Sequence, residues 1–220
     1  MLSESSQNII QNTIQFVKLE LQGAEGGHDW FHIERVYKNS LLIASKENAE
    51  TLIVALGALL HDIADSKFHG GDETVGPAKA HKFLSAQSLS EEKINHVVKI
   101  IENISFKGGN KTQKFHSKEL DIVQDSDRLD ALGAIGIART FNYGGFKNRP
   151  LYDPDIKPNL NMSPQEYKEH LAPTINHFYE KLLLLKDRMN TKTGKRLAAD
   201  RHKFLELYLA QFYAEWNGEK

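Results

Sequence analysis

His61 and Asp62 stand side by side in the apolar run LLHDIADSK, with His32 upstream in HDWFHIERV and Asp127 downstream in QDSDRLDALG. Four metal-ligating side chains therefore fall in the order His, His-Asp, Asp. Two imidazoles and two carboxylates form a mixed nitrogen and oxygen set that suits manganese, iron(II), nickel, zinc or magnesium. The chain has no cysteine, so thiolate zinc motifs are excluded. A lone buried His-Asp pair is commonly a satisfied core feature. Here the pair is one part of a set of four, and the set reads as a divalent-metal site.

The elements that must bring these side chains together are helical. Helical spacing recurs at Ile10, Ile14, Val17 and Leu21, and again at Ile94, Val97, Val98, Ile101 and Ile104, whereas strand signals are nearly absent. Residues from about Asp29 to Ser45 place Ile33, Val36, Tyr37, Ser40, Leu41 and Ala44 on one stripe. Thr51 to about Asp65 is apolar on all sides, as a central helix would be. Such a helix carries His61 and Asp62 inward, where a carboxylate needs compensation and a cation supplies it. Pro77 in the first turn after Gly76, and Ser90 as a cap before Glu91 and Glu92, predict two further helix starts. The capping box Ser163-Pro164-Gln165-Glu166 predicts another. Two C-terminal helices follow, one with Ile175, Phe178, Tyr179 and Leu182, the other with Leu197, Phe204, Leu205, Tyr208, Phe212 and Trp216. Residues 105–117 and 141–161 read as irregular, and loops of that length commonly serve function. Gly133 and Gly136 fit close helix packing, since their spacing matches no phosphate-cradling loop.

Composition narrows the partners. The 220 residues, 40% hydrophobic and 26% charged, suffice for one well-packed domain over residues 1–220. With 28 basic and 29 acidic residues there is no global pull towards a nucleic-acid polymer or an anionic membrane. The start MLSESSQNIIQNTIQF is too polar for a signal peptide, and the run LIVALGALL is broken by His61 and Asp62 before it reaches membrane-spanning length. A cytoplasmic protein is expected.

The order H…HD…D, with HxxRV at the first ligand and DxDRLDALGAIGIART at the last, resembles the HD-domain superfamily of metal-dependent phosphohydrolases. The likeness is particularly to stand-alone bacterial HD hydrolases of about this length, the nucleotide pyrophosphohydrolase-like subgroup included. It implies an all-α HD-domain helical bundle with additional C-terminal helices: an HD core over about 28–140 and a helical layer over about 162–217. It implies His32, His61, Asp62 and Asp127 as ligands of one divalent ion, Mn2+ first, with Mg2+, Fe2+, Ni2+, Zn2+ or Co2+ as alternatives. In related enzymes a carboxylate three positions after the HD aspartate orients or deprotonates the attacking water. Asp65 occupies that spacing, one turn from both central ligands, and is the expected general base.

Asp62 and Asp127 together cancel the charge of a divalent ion, so a phosphorylated substrate needs other cations. Lys67 is the first choice, followed by Arg35, Arg139 and, as a substrate or proton-transfer contact, His28. Lys107, Lys111, Lys114 and Lys118 form a basic strip that is either a solvated loop or a polyphosphate contact. Phe106, Phe141, Tyr143 and Tyr152 are each available for base stacking or for packing. The expected partner is a small phosphorylated molecule, a nucleotide or deoxynucleotide that yields phosphate or pyrophosphate, with homo-oligomerisation left open. The alternatives are a two-metal phosphodiesterase of cyclic or linear dinucleotides and a non-catalytic nucleotide-binding module.

Overall fold

The computed structural model describes residues 2–23, 29–64, 72–104, 113, 115–162 and 172–220. Among them no strand occurs, and the fold is all-α. The α-helices are α1 (Glu4–Glu20), α2 (Trp30–Glu47), α3 (Thr51–Leu60), α4 (Val75–Ser85), α5 (Glu91–Asn103), α6 (Lys118–Asp130), α7 (Gly133–Phe146), α8 (Asn176–Glu180) and α9 (Lys192–Trp216), with a 3₁₀ helix at Leu182–Arg188 between the last two. The described residues form two compact units, Met1–Ser126 and Asp127–Lys220, and the divide falls inside α6.

In the first unit α3 is the hub. Every residue from Leu52 to Leu60 is buried, as its unbroken apolar sequence requires, and the helix packs against α1, α2 and α5. Gly57 lets its neighbours come close: a Cβ there would lie 3.2 Å from Ile100 of α5 and 3.4 Å from Val123 of α6. Helix α2 turns Ile33, Val36 and Ile43 fully into the core. Its N-terminus is capped by Asp29, whose carboxylate accepts the His32 backbone N–H at 2.9 Å.

In the second unit α9 packs along α7 and the 3₁₀ helix. Phe178 is fully buried, with its ring centroid 6.0 Å from Phe141 and 5.8 Å from Tyr208. Backbone bonds from Thr174 to the Pro150 carbonyl (2.8 Å) and from Ile175 to that of Leu151 (3.0 Å) tie the segment after α7 to the start of α8.

The structure corrects several expectations. Regular helix stops at Leu60 rather than near Asp65, because the chain tightens there: Ile63 N–H donates to the Leu60 carbonyl at 3.3 Å, a three-residue closure. Residues 141–146, expected to be irregular, continue α7. Gly144 is buried in that helix because a Cβ would collide with Thr174 Oγ1, so the glycine serves packing rather than chain breaking. Ser90 occupies the cap position of α5 but makes no side-chain cap bond. The helix carrying Phe178 and Leu182 divides into a short α-helix and a 3₁₀ stretch. The capping box at 163–166 lies outside the described residues.

Candidate metal centre

Three helices deliver the candidate ligands. His32 lies in the first turn of α2, His61 is the residue that ends α3, and Asp127 is on α6, one residue past the divide but within the same uninterrupted helix. One ligand atom from each of these three residues lies within 4.8 Å of the others. Both imidazoles are buried, at 2% and 6% exposure, whereas Asp127 is half-buried. The two rings meet edge to face with centroids 5.4 Å apart.

The local chemistry fits a divalent ion. His61 Nδ1 lies 2.8 Å from the Ala58 carbonyl oxygen. A carbonyl can only accept, so Nδ1 carries the proton and the buried Nε2 is the lone-pair nitrogen. A second imidazole and a carboxylate complete a borderline nitrogen and oxygen donor set. When bound, such an ion supplies Lewis-acid charge for a phosphoryl oxygen and makes water more acidic.

Asp62 follows His61 in the chain, is half-buried and is not one of the three mutually close donors. Asp65, Lys67 and His28 lie outside the described residues, as do Lys107, Lys111, Lys114 and Phe106. Arg35 is half-buried on α2, one turn after His32. Arg139 Nη1 donates to Asp130 Oδ2 at 2.8 Å, and Asp130 is 1% exposed, so this guanidinium is engaged in a buried ion pair. Arg128 turns to the Arg188 carbonyl at 2.7 Å. Lys118 begins α6 and reaches the Asn48 carbonyl at 3.5 Å. Phe141 is taken up by core packing, and Tyr152 packs edge-on against Trp216 at 5.0 Å; Tyr143 is 43% exposed, with the Arg149 guanidinium 5.7 Å from its ring centroid.

Sequence reading assigns no role at the metal to two residues joined to the end of α6, Asp130 and Arg201, and weighs Asp130 only as an ion-pair partner for Arg35. Asp130 shares α6 with Asp127, one turn on, and its only sequence signal is the acid-Arg-Leu-acid spacing. Arg201 of α9 donates from Nη1 to the Leu129 carbonyl at 2.5 Å, across 72 residues, and no local pattern announces it. Burial lowers the Arg201 pKa, while Asp130 raises it. The guanidinium stays charged all the same.

The HD domain pattern matches residues 30–132, the stretch that holds all three clustered donors. The protein YpgQ of Bacillus subtilis is 36% identical over 199 residues, which cover 89% of this chain and 88% of that one. An HD-superfamily hydrolase from Bacillus thuringiensis superposes with a TM-score of 0.77 at 43% identity, over 96% of this chain and 98% of the other. A structure of YpgQ in complex with ADP superposes with a TM-score of 0.76 at 33% identity, covering 96% of each chain. The chain belongs to the HD-domain family. It is a metal-dependent phosphohydrolase that uses a divalent ion.

Proposed function

We propose that this phosphohydrolase cleaves nucleotides or deoxynucleotides and releases phosphate or pyrophosphate. The observation that carries the reading is the convergence of His32, His61 and Asp127 within 4.8 Å. Support for a nucleotide comes from YpgQ, which was solved with ADP and is 33% identical to this chain. His32, His61 and Asp127 hold the ion, with Asp62 as fourth ligand and Mn2+ as the preferred metal. One ion suffices for this assignment.

In the reaction, a water oxygen bonds to phosphorus as the bond to the leaving oxygen breaks. Asp65 takes the water proton. The leaving group is pyrophosphate when a triphosphate is cut at its α-phosphorus, a shorter nucleotide when a terminal phosphate is lost, or a nucleoside, which takes up a proton, when a monophosphate is cleaved, and nearby cations stabilise the departing oxygen. Lys67, Arg35 and His28 are assigned to the substrate phosphates. Arg139, bound to Asp130, contributes through that contact. The chain acts as one domain over residues 1–220, with its HD core at about 28–140 and its helical layer at about 162–217. Among the described residues no helix is long and apolar enough to cross a membrane; a cytoplasmic setting is part of the proposal.

The test is a panel of nucleoside mono-, di- and triphosphates with Mn2+, Mg2+, Ni2+ or Fe2+ added to metal-free protein, the product being identified as phosphate or pyrophosphate. Turnover is expected with Mn2+, lost in His61→Ala together with the metal. In Asp65→Ala the metal stays and the rate falls about 100-fold or more. Metal-loaded protein that binds nucleotides without turnover would contradict the assignment.

A further inference from the structure

Helix α6 must hold Asp127 in one orientation, yet Asp127 lies in its last turn, where the final four carbonyls have no partner within the helix. Two of these carbonyls turn to the following backbone: Arg128 accepts from Ala131 N–H and Leu129 from Leu132 N–H, both at 3.1 Å. Two guanidiniums add to this cap at Leu129 and Asp130. Arg201 Nη1 adds a 2.5 Å bond to the Leu129 carbonyl, and Arg139 Nη1 reaches the Asp130 carbonyl at 3.3 Å while holding the Asp130 carboxylate at 2.8 Å.

We propose that Arg139 and Arg201 are positioning residues that fix Asp127 for metal binding, a role that rests on reading His32, His61 and Asp127 as the metal centre. A one-residue slip of register in this last turn would rotate Asp127 by about 100 degrees and shift it by about 1.5 Å. A metal ligand tolerates only about 0.2 Å. Charge points the same way: the negative end of the helix dipole, Asp127 and Asp130 crowd one terminus, and the two guanidiniums offset them. Gly133 belongs to the same device. Its φ of +69° suits glycine, and a Cβ there would lie 3.2 Å from Arg201 Cβ and Cγ, so the bare backbone is what lets the Arg201 stem lie against the turn.

The experiment titrates Mn2+ into the metal-free full chain and records the melting temperature of each metal-free variant alongside. Arg201→Met, which keeps an apolar stem without the donor, and Arg139→Gln are expected to weaken Mn2+ binding by about 10-fold or more, with partial recovery in Arg201→Lys and Arg139→Lys. Asp130→Asn combined with Arg139→Gln removes the buried unpaired charge, so its melting temperature returns towards that of the parent while Mn2+ affinity stays low. Unchanged affinity in these variants overturns the proposal. So does affinity that follows melting temperature throughout and recovers in the double variant, which would make the arginines ordinary structural caps. If Arg201→Met fails to fold, Arg201→Gln, whose amide is too short to reach the Leu129 carbonyl, decides: binding equal to the parent's overturns the role of Arg201. Asp127→Ala separates the two levels. Mn2+ binding that survives this change refutes the metal centre itself, whereas its loss beside unaffected arginine variants refutes only the positioning role.

Discussion

The Nδ1 atom of His61 lies 2.8 Å from the carbonyl oxygen of Ala58, one turn earlier on the chain. That bond orients the ring and assigns its tautomer before any ion arrives. Nitrogen NMR of the neutral imidazole in the metal-free protein is expected to show its proton on Nδ1. The opposite tautomer would refute this geometry. His61→Asn places an amide near the Nδ1 position without the metal-binding nitrogen, so the fold should survive while metal affinity drops by more than about 100-fold, beyond the loss typical of an outer partner.

Metal binding should stabilise the folded chain by mass action. At a free Mn2+ concentration about 100 times Kd, the gain is about 2.7 kcal/mol, visible as a raised Tm that a chelator reverses. His61→Ala should melt at the same temperature with and without Mn2+. A Mn2+-dependent rise retained in that variant would place the stabilising site elsewhere.

Acid stability has an identifiable contributor in the second unit. Burial, followed by the charges of Lys181 and Arg149, pushes the His177 pKa down from 6.5 to about 3. The unfolded chain binds the extra proton between those values, so this contribution is intact above about pH 6.5 and declines as pH falls towards 3. Each pH unit in that window costs at most about 1.4 kcal/mol. Denaturant melts of His177→Gln at pH 7 and pH 4.5 should show a smaller difference than the parent's. An equal difference would remove His177 from the acid response.

Gly144→Ala would force a methyl group against Thr174 Oγ1. The expected loss is about 1–3 kcal/mol, the usual cost of overpacking. Adding Thr174→Ala should recover part of it, since the two residues share the contact. Purely additive losses in the double variant would contradict the steric account.

The stripe of Ile94, Val97 and Ile101 foretold α5, and the all-apolar run at 52–60 foretold a buried hub, because burial on one face or on every face is written directly into residue type. Sequence reading named four ligands, His32, His61, Asp62 and Asp127, and the structure groups three of them, His32, His61 and Asp127. What escaped sequence reading depends on distant contacts. Ile63 and Ala64 return to apolar character after His61 and Asp62, so only the turn bonds reveal where α3 stops. Gly144 and Gly145 resemble helix breakers until Thr174, thirty positions on, is seen to need the space at Gly144. Arg139 looked like a phosphate ligand because charge alone cannot show that Asp130 holds it, and Arg201 offered no pattern at all.

The most direct test of the central claim is an anomalous difference map from crystals of the full chain grown with Mn2+. A single strong peak about 2.0–2.3 Å from His61 Nε2, a ring nitrogen of His32 and a carboxylate oxygen of Asp127 is the predicted result. Mn2+ density bound to other side chains, with these three uncoordinated, would contradict it.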